Sequence, residues 1–150
     1  MKLSRNFHLD EAVKSSTAAR HGINNYLPEM FLGNAISLAE NILQPIRDFY
    51  RIAYSPSSWF RCEELNTLIR GSKSSDHLTA SAADIEIAGI SNLRLAEFIR
   101  DNLDFDQLIL EYYEDSDPNS GWVHVSYNCG KNRGEVLRYD GKSYKFNLED

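Results

Sequence analysis

Ser72-Lys73-Ser74-Ser75-Asp76-His77-Leu78-Thr79-Ala80-Ser81-Ala82-Ala83-Asp84-Ile85 sets two residues able to bind a metal, His77 and Asp84, seven positions apart with small residues between them. Seven steps along one strand would put the pair on opposite faces, and seven along one helix would leave them two turns apart. Neither lets both touch one ion. A chain that turns between Leu78 and Ser81 can bring imidazole and carboxylate to the ~2.0–2.2 Å that zinc demands. The stretch is therefore read as a loop carrying His77 that runs into a strand over residues 82–88. On that strand Ala83, Ile85 and Ile87 share one face, and Asp84 and Glu86 share the polar, site-facing one.

A third ligand lies downstream. Gly121-Trp122-Val123-His124-Val125-Ser126-Tyr127 alternates so that Trp122, His124 and Ser126 face one way and Val123, Val125 and Tyr127 the other. His77, Asp84 and His124 make three protein ligands and leave zinc's fourth position to water. That is the pattern of a catalytic site, whereas structural sites close the shell, usually with cysteines. Cys62 and Cys129 are too few and too far apart for a cysteine knuckle or a disulfide framework, and both are read as reduced.

Outward from these stretches the pattern is mixed. Residues 1–27 read as a short helix or turn followed by an irregular arm. Pro28 suits a helix start, and Leu32, Ile36, Ala39, Leu43, Ile46 and Tyr50 form one buried stripe, with a kink expected at Pro45. Residues 51–55 are a strand candidate, and 62–70 a short helix ended by Gly71. Ser91 is placed to cap a helix running to Asn102. Residues 107–113 and 122–128 form an antiparallel pair across a polar loop, and 134–147 a hairpin turning at Asp140-Gly141. Asp115 and Asp117 in the polar loop lack the Gly and Glu offsets of a calcium loop. The class expected is α+β, helices packed on a mostly antiparallel sheet in a single domain over residues 1–150.

Composition agrees with one domain. The chain has 150 residues, 42% of them apolar and 11% aromatic, enough for a core. A net charge of −6 argues against nucleic acid and against adhesion to anionic membranes, so binding must come from a shaped site. No apolar run of signal-peptide or membrane-span length occurs, and the expectation is synthesis in the cytoplasm as a monomer.

These residues carry a resemblance. The chain resembles the zinc D-Ala-D-Ala carboxypeptidase/endopeptidase family M15, in particular its small phage-type and prophage-type members that cut peptidoglycan peptides. Ser75-Asp76-His77 with Ala82-Ala83-Asp84 is similar to the family's S-x-H-x(6)-D zinc motif, and Trp122-Val123-His124-Val125-Ser126 to its second histidine strand. The segments Thr17–Asn24, Trp59-Phe60-Arg61, Glu64-Leu65-Asn66 and Asp106–Glu111 agree in the same order. The resemblance implies a single zinc-peptidase-like domain wrapped by its first 27 residues, with Zn2+ on His77, Asp84 and His124. It implies Arg61 and Ser75 as substrate-binding residues and a wall peptide as substrate, met after release from the cell. Here Pro56-Ser57-Ser58-Trp59-Phe60 replaces the family's shorter turn before the arginine.

The general base is left to choose. Position 121, three before His124, is glycine, so no E-x-x-H arrangement exists. Glu111 ends a strand expected to pair with that of His124, at ~4.8 Å between strands; Glu114, in the loop, is the alternative. The rival reading of the whole chain is a phage structural or wall-binding module that keeps the fold without turnover.

Overall fold

The computed structural model describes residues 1–149. Five strands, β1 (Ala82–Ile85), β2 (Gln107–Glu111), β3 (Trp122–Ser126), β4 (Glu135–Tyr139) and β5 (Tyr144–Phe146), form one sheet in the order β1-β3-β2-β4-β5. The pairs β1/β3, β3/β2 and β4/β5 are antiparallel, and β4 lies parallel to β2. The class is α+β, with helices α1 (Leu9–Val13), α2 (Ser16–Arg20), α3 (Leu32–Leu38), α4 (Gln44–Tyr50), α5 (Glu63–Leu68) and α6 (Asn92–Asn102). Among the described residues no helix is long and apolar enough to cross a membrane.

Period-two alternation decides where the core sits. Ile85, Leu108, Leu110, Val123 and Val125 point to one side and are fully buried, joining Leu95 and Ile99 of α6 and Leu38, Ile42 and Ile46 of the long helical run in one cluster. Ser91 ends the approach to α6 as its sequence predicts, its Oγ accepting from the Arg94 N–H. The opposite face of the sheet is left for the site.

Several boundaries differ from the sequence reading, each for a local reason. The kink expected at Pro45 takes the form of a π turn, Ala39–Leu43, between α3 and α4, in which the Gln44 N–H reaches back five residues to the Ala39 carbonyl. Proline has no N–H and crowds the carbonyl four back, so the ladder widens just before it. Residues 51–55 are not a strand: Arg51 is left-handed at φ 57°, and the Tyr54 hydroxyl donates to the Leu43 carbonyl, folding the segment back on the helix. After α5 the left-handed position is Arg70 (φ 61°), not Gly71. Gly71 is glycine for space, since a Cβ there would stand 2.1 Å from Asn66 Oδ1. The strand predicted over 82–88 stops at Ile85, where the chain turns through the Ile87 and Ile90 bridge. The arm predicted to be irregular after one helix contains both α1 and α2; its Ala12 carbonyl accepts from the Phe60 N–H, and Asn25 bonds Val13, Phe60 and Cys62.

Candidate metal centre

His77 sits on a single 3-10 turn, Asp76–Thr79, whose His77 N–H is capped by Ser75 Oγ and which ends at Ala80 in the left-handed conformation. That reversal swings the chain straight into β1. Asp84 on β1 stands directly opposite His124 on β3. Residues 57–61 brace both ligand-bearing segments from outside. Ser57 donates to the Asp84 carbonyl at 2.9 Å, Asp84 N–H to Ser58 at 2.8 Å, and Arg61 N–H to the His77 carbonyl at 3.0 Å. The buried Trp59 indole donates to the Ala80 carbonyl at 3.1 Å.

The three side chains meet around one oxygen. His77 Nε2 is 3.3 Å and His124 Nδ1 3.1 Å from Asp84 Oδ1. His77 Nδ1 lies 2.6 Å from the Trp59 carbonyl. A carbonyl only accepts, so Nδ1 carries the proton and Nε2 of the neutral ring turns a lone pair toward the carboxylate. Two acceptors facing each other are reconciled either by a second proton on the ring or by a metal cation between them, and burial, which lowers the His77 pKa, disfavours the proton. The donor set of two imidazole nitrogens and one carboxylate oxygen is one that zinc takes, and four-coordinate zinc sets its ligand atoms about 3.3–3.6 Å apart. Among the described residues this is the one His/Cys/Asp/Glu group gathered tightly enough to hold a metal, its ligand atoms all within 4.8 Å. The residues present fit a zinc ion.

Charge in the site is set by burial against this pairing. Burial pushes His77 below its ordinary range despite Asp84, which keeps it neutral. Burial would raise Asp84, but the two imidazoles outweigh it and hold the carboxyl well below the usual range. Burial also opposes charge on His124, and there the hydrogen bond and charge of Asp84, with Glu111 and Asp76 behind them, prevail and raise it.

These ligands open into a cleft of about 620 Å³ floored by the solvent-side face of the sheet. The register lays two rows on that face of the sheet, the first reaching beyond the cleft at Leu137 and Phe146. Asp84, His124, Ile109, Leu137 and Phe146 form one, and Trp122, Glu111, Tyr139 and Tyr144 the next. Glu111 is the one glutamate lining the cleft among the described residues. Burial pushes its pKa up, Asp84 adding to the effect while His124 and Arg61 oppose it. Trp122 Nε1 is enclosed close enough to the Glu111 carboxylate to favour its charge, without closing a hydrogen bond of good geometry. Glu114 stays in the exposed loop, its N–H bonded to Ser120 Oγ.

Arg61 lines the cleft wall although its turn is longer than the family's, with its Nε enclosed and without a hydrogen-bond partner. Burial lowers its pKa, and Asp84 and Glu111 pull the other way. Ser75 also lines the cleft while its Oγ accepts from the His77 N–H. Sequence reasoning did not see Trp59 as the residue that orients His77, because a backbone carbonyl leaves no mark in residue identity. Nor did it see Tyr139 and Tyr144 beside Glu111, because the parallel pairing of β4 with β2 is not a local signal.

Compared with known protein families, residues 5–126 match the family described as Peptidase M15, whose members are in general zinc-dependent metallopeptidases. No curated protein matches the chain. The matched stretch runs from ahead of α1 to the end of β3 and takes in Arg61, Ser75, Glu111 and all three metal-binding side chains. With that stretch covering most of its length and the ligand constellation intact within it, the chain belongs to the Peptidase M15 family of metallopeptidases.

Proposed function

We propose that this protein is a zinc-dependent hydrolase of peptide bonds in bacterial peptidoglycan, working as a D-Ala-D-Ala carboxypeptidase or as an endolysin-type endopeptidase in a phage or prophage setting. The observation that carries the reading is the bare Nε2 of His77 aimed at the Asp84 carboxylate beside His124, a grouping that a metal cation satisfies without charging the buried His77 ring. His77, Asp84 and His124 would hold the zinc, which would supply Lewis-acid chemistry for the scissile carbonyl and lower the pKa of water to about 7.

The chain's own residues do the rest. Glu111 is the general base: it shares the cleft floor with His124, and its raised pKa suits a group that takes a proton from the attacking water and returns it to the leaving amine. Arg61, whose side chain lines the cleft wall, grips a substrate carboxylate through its guanidinium fork. Ser75 holds the His77 turn in place and offers the substrate a hydroxyl at the cleft wall. Acting as a monomer, without nucleic acid or a stable membrane contact, the protein reaches the wall after release from the cell.

Metal analysis of the purified protein, followed by digestion of isolated peptidoglycan with mass spectrometry of the products, tests the reading. About one zinc per chain and a new peptide terminus at a single bond type support it. Bound metal with no released product would instead make the chain a wall-binding or phage structural module.

A further inference from the structure

Beyond the metal ligands the cleft floor turns aromatic. Trp122, Tyr112, Tyr139 and Tyr144 form a continuous run of rings, with centroids 5.1 Å apart from Trp122 to Tyr112, 5.7 Å from Tyr112 to Tyr139 and 4.3 Å from Tyr139 to Tyr144, the last pair stacked. The run is built in. Tyr112 holds a left-handed backbone (φ 56°) that a bulky aromatic seldom adopts. Gly121 passes so close that a Cβ would stand 2.0 Å from the Glu111 carbonyl oxygen, and one on Gly141 would stand 2.8 Å from the Tyr112 ring. Tyr112 is 45% and Tyr144 60% exposed, so ring surface is open to a ligand.

We propose that this run is a sugar-stacking subsite that receives the glycan end of the substrate; the inference rests on the peptidoglycan reading above. A pyranose ring carries C–H groups on its faces and hydroxyls along its edge. Tyrosine offers the matching pair, an apolar ring face and a phenol at its rim. The run is continuous with the cleft of the metal centre, so a substrate held at His124 and extending along the floor must cross it. Apart from Glu111, second in the row after Trp122, the Trp122, Glu111, Tyr139, Tyr144 row is uncharged, which suits a neutral N-acetylated sugar better than a charged stem peptide. From β3 to β5 the floor spans three strand spacings, about 14 Å. A peptide joining a sugar on Tyr144 to a bond at the metal therefore covers about four extended residues.

The two tryptophans make a direct test possible, because Trp59 is buried at 1% exposure and Trp122 sits in the run. Chitotetraose, a neutral N-acetylglucosamine tetramer, is titrated into the full-length protein while Trp fluorescence is followed. The expected result is a saturable change that Tyr144→Ala weakens about tenfold, the scale of one lost ring contact. Tyr144→Phe keeps the ring and the binding, and Phe49→Ala, at an exposed ring on α4 away from the cleft, leaves binding intact. No saturable change, a change indifferent to Tyr144, or the same response to a sugar-free stem peptide would overturn the proposal. So would a Tyr144-dependent dimer at these concentrations, which would give the rings to a second copy. Sugar binding by a protein that releases no peptide would sink the peptidase reading and leave this subsite standing; peptide release with no sugar response would do the reverse.

Discussion

β2 and β3 have two faces that were put to opposite uses. Leu108, Leu110, Val123 and Val125 face the core and are fully buried; Ile109, Glu111, Trp122 and His124, interleaved with them, line the cleft. On the first face any side chain of the right volume and polarity serves. On the second, atom positions matter to fractions of an ångström, and Glu111 is held against its own preference for water. One register governs both, and a slip of one residue would exchange them. The core face thus supplies the stability that the cleft face spends.

Substitutions should separate the faces, and the largest effect belongs to the ligands. His77→Ala or His124→Ala should take bound metal from about one per chain to near zero after dialysis and abolish hydrolysis; metal retained in either variant would break the assignment. Next comes Glu111→Gln, which should keep zinc and fold while losing at least ~10²-fold in turnover on a wall peptide. Its stability should also depend on pH with a definite sign. Burial raises the folded pKa of Glu111 above its ordinary 4.5. A raised carboxyl contributes stability below the unfolded pKa and loses it as pH rises through the folded one. Chemical unfolding of the metal-free proteins should therefore show the wild type losing ground to Glu111→Gln across that rise, and parallel curves would deny the strain.

On the other face, Leu110→Ala should cost about 2–5 kcal/mol in denaturant unfolding while zinc per folded molecule is unchanged. The smallest effect lies at the strand end, outside either face. Asp106 is buried and accepts from the Arg133 N–H and guanidinium. Burial alone would raise its pKa, but Arg133 outweighs burial and lowers it. Its contribution is present above the unfolded carboxyl pKa and lost as pH falls through the folded one. Asp106→Asn should cost about 1–2 kcal/mol at neutral pH and lack that acid-side loss in thermal melts.

Legibility in the sequence followed the range of the interaction. The alternation of residues 122–127 and the stripe and cap of α6 are local, and both elements form where they were expected. The turn between His77 and Asp84 was forced by geometry, because no regular element lets both touch one ion. Ile52 and Tyr54 have strand character, yet 51–55 forms none, since what decided its state was the Leu43 carbonyl awaiting the Tyr54 hydroxyl. The Trp59 carbonyl that fixes the His77 tautomer, and the β4 register that brings Tyr139 beside Glu111, depend on contacts from distant parts of the chain.

The parallel seating of β4 on β2 bears on the order of assembly. The chain leaves β3 at Ser126, rounds the start of β2 at Asp106, and enters β4 along the outer edge of β2. Until β4 arrives, that edge offers unpaired N–H and carbonyl groups along Gln107-Leu108-Ile109-Leu110, an apolar template on which another nascent chain could add a strand. The connection over residues 127–134 is short, and closing a loop of that size takes about 10–100 ns. The short connection thus keeps β4 close to the vulnerable edge once β2 and β3 have paired. Of the sheet's two edges, β1 is bridged by Ser57 and Ser58 at Asp84, and among the described residues β5 ends the other side with a strand three residues long, too short to recruit a neighbour and so a guard against aggregation.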